Sequence, residues 1–114
     1  MNMSLKIHEQ GNQMNVIVQG EIDAFTAPKL RERLFPLSEK EGIEMIINLS
    51  NVSYLDSTGL GVFVGVFKNI RSNQGKLRIV GLSQRLLRLF KMTGLANIID
   101  ISSQNEGEEN ESIV

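Results

Sequence analysis

Polar and apolar residues alternate through Leu5-Lys6-Ile7-His8-Glu9, and Gln10-Gly11-Asn12 follows, which predicts a strand running into a turn. Met14-Asn15-Val16-Ile17-Val18-Gln19-Gly20 is a second strand, and the Gly-Asn between the two predicts a hairpin. The period then changes. Leu30, Leu34 and Leu37 recur at helical spacing behind Thr26, a residue suited to an N-cap, and Pro28, whose missing N–H is harmless in a first turn. Pro36 is placed to kink this helix near its end, because its ring blocks the bond back to Glu32, and Gly42 is a natural stop.

Met45-Ile46-Ile47-Asn48-Leu49 is nearly continuous in apolar character, the mark of a strand covered on both faces. A second helix is predicted over residues 58–73 and a strand over 76–80. Ser83 then caps a third helix through Met92, which stops at Gly94 with Leu95 placed for a closing hydrophobic contact. Ile98-Ile99-Asp100-Ile101 is a last short strand. The order β-β-α-β-α-β-α-β predicts one α/β domain over residues 4–101. Its sheet of four to five strands is mixed in direction because of the hairpin, with helices packed against it.

Charge marks where that domain ends. Residues 102–114 carry Glu106, Glu108, Glu109 and Glu111 without a basic residue, and the composition predicts a solvated, disordered acidic tail. Residues 1–101 hold twelve Lys and Arg against nine Asp and Glu, far from the excess expected of a protein that grips nucleic acid through its phosphates. The absence of Cys removes disulfides, thiolate metal sites and cysteine nucleophiles, and a lone His8 cannot build a histidine metal cluster. No apolar run is long enough to span a bilayer, and the N-terminal residues lack the layout of an export signal. These features predict a cytoplasmic protein that engages neither membrane nor nucleic acid and needs no cofactor or metal.

The chemistry concentrates in Tyr54-Leu55-Asp56-Ser57-Thr58-Gly59-Leu60-Gly61-Val62, which joins the third strand to the second helix. One N-cap would complete an ordinary helix start, whereas three successive small polar residues place two hydroxyls at a strand-to-helix turn, where open α/β sheets hold their ligand chemistry. On a helical wheel Leu60, Phe63, Phe67 and Ile70 face the sheet, while Gly61 and Gly65 fall on the side of Thr58, Lys68, Asn69 and Ser72. Each interior glycine costs a helix about 1 kcal/mol relative to alanine. A flat stripe for a partner's backbone is one explanation, and packing under a neighbouring helix is the other. Asp23 and Glu21 are either outer members of the same contact face or solvated loop carboxylates, and Asp56 with Asp23 could hold a cation weakly. Arg85, Arg88 and Lys91 form a solvated face of the third helix.

Asp56-Ser57-Thr58-Gly59-Leu60-Gly61-Val62 resembles the phosphorylation-site signature of bacterial anti-sigma factor antagonists of the STAS domain family, in particular those of the general-stress, sigma-B type pathway. Gly20-Glu21-Ile22-Asp23 with Thr26-Ala27-Pro28 resembles that family's first strand-to-helix junction, and Arg85, Leu89-Phe90 and Thr93-Gly94-Leu95 resemble its third helix and following turn. The resemblance implies a partner switch without catalysis. The unmodified protein binds an anti-sigma factor that is itself a serine kinase of histidine-kinase-like ATPase fold, which releases the sigma factor. The kinase phosphorylates Ser57, with Thr58 as the lesser candidate, and a PP2C-type serine phosphatase reverses the mark. Together with the reading of the turn and helix above, the expected partner face comprises Asp23, Asp56, Ser57, Thr58, Gly59, Gly61 and Gly65. A phosphate at a helix N-terminus meets N–H donors while the adjacent Asp56 repels it, so the mark should be tolerated by the fold and act by blocking docking. Two alternatives are a STAS subunit of another signalling or transport assembly that is never phosphorylated, and a weak nucleotide hydrolase built on Asp56 and Ser57.

Overall fold

The computed structural model describes residues 2–104, so residues 105–114 of the predicted tail lie outside the described residues. Strands β1 (Met3–Gln10) and β2 (Gln13–Ile22) form the antiparallel hairpin, turned by Gly11 at φ +63° and Asn12. Helix α1 (Ala27–Ser38) leads to β3 (Glu44–Leu55), α2 (Ser57–Ser72) to β4 (Lys76–Leu82), and α3 (Gln84–Met92) through a 3₁₀ turn (Leu95–Asn97) to β5 (Asp100–Ser103). The five strands lie in the order β1-β2-β3-β4-β5, with every pair after the hairpin parallel. Strand order therefore equals chain order. Three successive right-handed crossovers stepping the same way put all three helices on one face of the sheet.

Burial follows from that layout. Met14, Val16 and Val18 of β2, Met45, Ile47 and Leu49 of β3, and Leu77 and Ile79 of β4 are buried under the helices. Leu30 and Leu34 of α1, Phe63, Val66 and Ile70 of α2, and Leu86 and Phe90 of α3 complete the layer. The rings of Phe63 and Phe90 meet at 6.2 Å between centroids and 43°, joining α2 to α3. The opposite parity forms a second face. His8, Asn15, Ile46, Arg78 and Asp100 lie in one row across all five strands, and Lys6, Ile17, Asn48 and Val80 in the next. These residues are half-buried or exposed, and nothing among the described residues covers them.

Several expectations change here. The apolar run in β3 is covered on one face only: Met45, Ile47 and Leu49 are buried, whereas Ile46 and Asn48 are half-exposed on the other. The strand also extends to Leu55, because its second half pairs with β2 alone through two register shifts that break the alternation. Residues 98 and 99 precede the last strand, and Ser102 and Ser103, expected in the tail, belong to β5. Gln104 continues that edge, its N–H donating to the Leu82 carbonyl at 2.9 Å and its amide to the Ser50 carbonyl at 3.0 Å. Helix α1 runs past Pro36 to Ser38.

Phe63 is fully buried at the junction of sheet, α2 and α3. Phe63→Ala should lower stability by about 3–5 kcal/mol, through lost burial and the cavity left behind. A urea unfolding midpoint within error of wild type would mean that the helical layer does not depend on this contact.

Candidate functional site

Strand β3 ends at Leu55 and delivers Asp56 in extended conformation, φ −114° and ψ −173°. The Asp56 N–H donates to the Ile22 carbonyl at 3.3 Å, tying the turn to the end of β2. One carboxylate oxygen accepts the N–H of Thr58 at 3.0 Å and of Gly59 at 3.2 Å, which makes Asp56 the N-cap of α2. The Leu60 N–H is taken by the Asp56 carbonyl at 3.0 Å. A Cβ on Gly59 would lie 2.5 Å from Leu55 Cδ1 and 2.6 Å from Ile22 Cγ2, both buried core atoms. Only glycine lets the helix begin this close to the sheet. With Gly59 and Leu60 turned inward, Ser57 and Thr58 face outward and are exposed. The three polar residues thus divide their labour: one caps, and two present hydroxyls.

The helix end offers a phosphate fewer free donors than expected. Of the N–H groups of residues 57 to 60, those of Thr58, Gly59 and Leu60 are already bonded through Asp56. Only the Ser57 N–H has no partner among the described residues. A dianion on Ser57 would find its own N–H free at a helix end otherwise occupied through Asp56, whose carboxylate lies beside it.

The two glycines expected on one docking stripe separate. Gly61 is exposed, and a Cβ there would meet nothing within 4 Å. Gly65 instead lies under the Phe35 ring of α1, with which a Cβ would collide. Gly65 therefore exists for the contact of α1 with α2, and the assignment to a partner face is corrected.

Asp23 is also corrected. It is 5% exposed, neither a solvated carboxylate nor part of an outer rim. One of its oxygens accepts the N–H of Phe25 at 2.9 Å and of Thr26 at 3.0 Å, while the other is buried without a partner among the described residues. Thr26 does not cap α1 with its side chain. Its hydroxyl donates to the Glu21 carbonyl at 2.8 Å and accepts the Asp23 N–H at 2.9 Å. Burial would raise the Asp23 pKa, but the hydrogen bonds from Thr26 and Phe25 outweigh it and hold the group below its ordinary value of 3.8. One oxygen each of Asp23 and Asp56 is committed to backbone N–H groups, and no cluster of three potential metal-binding side chains occurs among the described residues. The large side chain this turn exposes is Phe25, which sequence reasoning missed because a lone apolar residue in a short loop reads equally well as a buried one.

The remaining charges sit apart. Arg85, Arg88 and Lys91 are exposed on α3, as expected. Arg71 lies over the Phe67 ring at 5.8 Å, and His8 is a strand residue on the uncovered face. No helix among the described residues is long and apolar enough to cross a membrane.

The STAS domain family profile matches residues 4–107. The anti-sigma-B factor antagonist of Bacillus subtilis (strain 168) is 50% identical over 107 residues, covering 94% of this chain and 97% of the relative. That of Listeria monocytogenes is 53% identical over 111 residues, covering 96% of each. Among solved structures, an anti-sigma factor antagonist from Mycobacterium paratuberculosis superposes with a TM-score of 0.79 at 24% identity, covering 89% of this chain and 86% of that one, a likeness of fold.

Two substitutions probe the turns. Asp56→Ala should destabilise the domain by about 0.5–2 kcal/mol, with Asp56→Ser or Asp56→Asn recovering most of it, as read by thermal melting. For Asp23 the lowered folded pKa means that its stabilisation is complete above the ordinary 3.8 and is lost as pH falls through the folded value. Asp23→Asn should therefore melt below wild type at neutral pH and converge with it in acid. Parallel curves across that window would show that the carboxylate charge contributes nothing.

Proposed function

The chain belongs to the STAS domain family, and from that membership and the outward hydroxyl of Ser57 we propose that it is an anti-sigma factor antagonist switched by phosphorylation at Ser57. In its unmodified form it docks on an anti-sigma factor and releases the sigma factor, promoting stress-response transcription. That partner is a serine kinase of histidine-kinase-like ATPase fold. During transfer the Ser57 Oγ bonds to the γ-phosphorus of ATP, the bond to the β-phosphate oxygen breaks, ADP leaves, and the hydroxyl proton passes to a base of the kinase. A PP2C-type phosphatase hydrolyses the phosphoserine and restores the active form. The protein itself is a regulator and performs no turnover.

The observation that carries this reading is an exposed serine at the first position of a helix whose cap is supplied by its neighbour. The hydroxyl is free for a partner because the backbone does not need it. Phosphorylation adds about −1.5 to −2 charges at pH 7. The helix dipole and the Ser57 N–H attract that charge while Asp56 repels it and already holds the Thr58 and Gly59 donors, so the fold gains or loses little. The interface bears the effect. A surface fitted to a bare hydroxyl loses its hydrogen bonds and must bury a dianion, which costs at least about 3 kcal/mol, or roughly a hundredfold in Kd. Gly61 suits this face, since its bare backbone beside the hydroxyls admits a closely approaching chain.

With the cognate anti-sigma factor and ATP, mass spectrometry should find one phosphoryl group on Ser57 and none in Ser57→Ala. Ser57→Glu should bind that partner roughly a hundredfold more weakly than Ser57→Ala while melting at a similar temperature. Equal affinities would overturn the interface account. Binding without any phosphoryl transfer would instead point to a STAS subunit of another assembly.

A further inference from the structure

The β2–α1 turn is organised around an inward carboxylate, and its product is an outward ring. Phe25 is 83% exposed, more than any other large apolar residue described. The backbone beneath it is held firmly: its own N–H and that of Thr26 both bond to Asp23, and the Thr26 hydroxyl bonds to the Glu21 carbonyl. The ring is therefore presented from a fixed base. An open hollow of about 640 Å³, lined in part by Gln19, Gly20, Thr26 and Lys29, lies beside it, and no element of the described fold takes the ring up.

Position gives this exposure a direction. Phe25 stands three residues beyond Ile22, whose carbonyl accepts the Asp56 N–H and whose side chain lies against Gly59. It thus shares the pole of the sheet that holds Ser57. Tyr54, 44% exposed and paired in register with Glu21, adds a second aromatic there. Met92 and Ile98, also exposed, lie at the opposite pole, since α3 runs back against the strands and ends at Met92, and Ile98 precedes β5. Among the described residues the two aromatics that are exposed, Phe25 and Tyr54, both stand at the Ser57 end, whereas Phe35 and Phe67 are half-buried against the helices and sheet. Rigid aromatics projecting from a polar rim are the residues that dominate protein interfaces, because little freedom is lost when they are buried.

We propose that Phe25 is the apolar anchor of the interface centred on Ser57, inserting into an apolar pocket of the anti-sigma factor. The proposal rests on the reading above, which defines the partner that covers this pole. It replaces Asp23 as this turn's contribution to the contact: the carboxylate shapes the turn, and the ring makes the contact.

The chain contains no tryptophan, so Phe25→Trp creates a single fluorescent reporter. On addition of the cognate anti-sigma factor its emission should shift to the blue and lose access to iodide quenching, whereas Met92→Trp should not change. Phe25→Ala should weaken binding by at least about tenfold with an unchanged melting temperature, and Met92→Ala should bind as wild type. If wild type binds and Phe25→Ala binds equally well, or the Phe25→Trp emission stays that of an exposed indole in the complex, the anchor is refuted while the Ser57 switch stands. If wild type neither binds the anti-sigma factor nor accepts phosphate, both readings fall.

Discussion

The carboxylate of Asp56 bonded to the N–H groups of Thr58 and Gly59 is the contact on which the site depends. Without it the first turn of α2 would leave those donors unsatisfied, and the neighbouring hydroxyls would be the nearest groups able to turn back and serve them. With it, Ser57 has no structural duty. The close approach of Gly59 to Leu55 and Ile22 then fixes which way the turn faces, since an inward glycine forces its two polar predecessors outward. A backbone requirement and a packing requirement together produce an exposed hydroxyl at a rigid helix end.

The rest of the molecule holds that end still. Because the crossovers all step in one direction, the helices share one face of the sheet and brace one another: α1 on α2 through Phe35 over Gly65, and α2 on α3 through Phe63 against Phe90. The carboxyl ends of β2 and β3 then emerge side by side, with Ile22 paired to Leu55 and the Asp56 N–H bonded across to Ile22. Two strand-to-helix turns meet at one pole, each built on an aspartate that serves the backbone. One turn exposes two hydroxyls and the other an aromatic ring.

The element order and most of the core were legible in the sequence, because period-two and helical spacing report burial directly. Legibility failed where a second force decided. The β3 run looked buried on both faces because Ile46 is apolar, yet strand order, which no local pattern encodes, left that face uncovered. The second half of β3 was invisible because the register shifts put Val52 and Leu55 three residues apart on the buried side. At the site, the Asp-Ser-Thr-Gly segment could be located from residue types, but the separation of Gly61 from Gly65 required the position of Phe35 on another helix. The same holds for Asp23. A carboxylate in a loop reads as solvated until the two N–H groups it accepts are seen.

A helix end whose donors are mostly taken suits a reversible mark better than an empty one. Were the donors vacant, a phosphate would be drawn onto them, and writing the mark would stabilise the fold and resist erasure. Asp56 limits this by holding the Thr58 and Gly59 donors already, which leaves only the Ser57 N–H. Its repulsion of the dianion, with both groups near water, is on the order of 1 kcal/mol, small against the 5–15 kcal/mol that typically holds such a domain together. The same charge buried in an interface has no solvent to relieve it and costs several times more. In the proposed switch the modification therefore leaves the fold nearly indifferent and changes the complex strongly, which lets one oxygen control association without requiring the domain to reorganise.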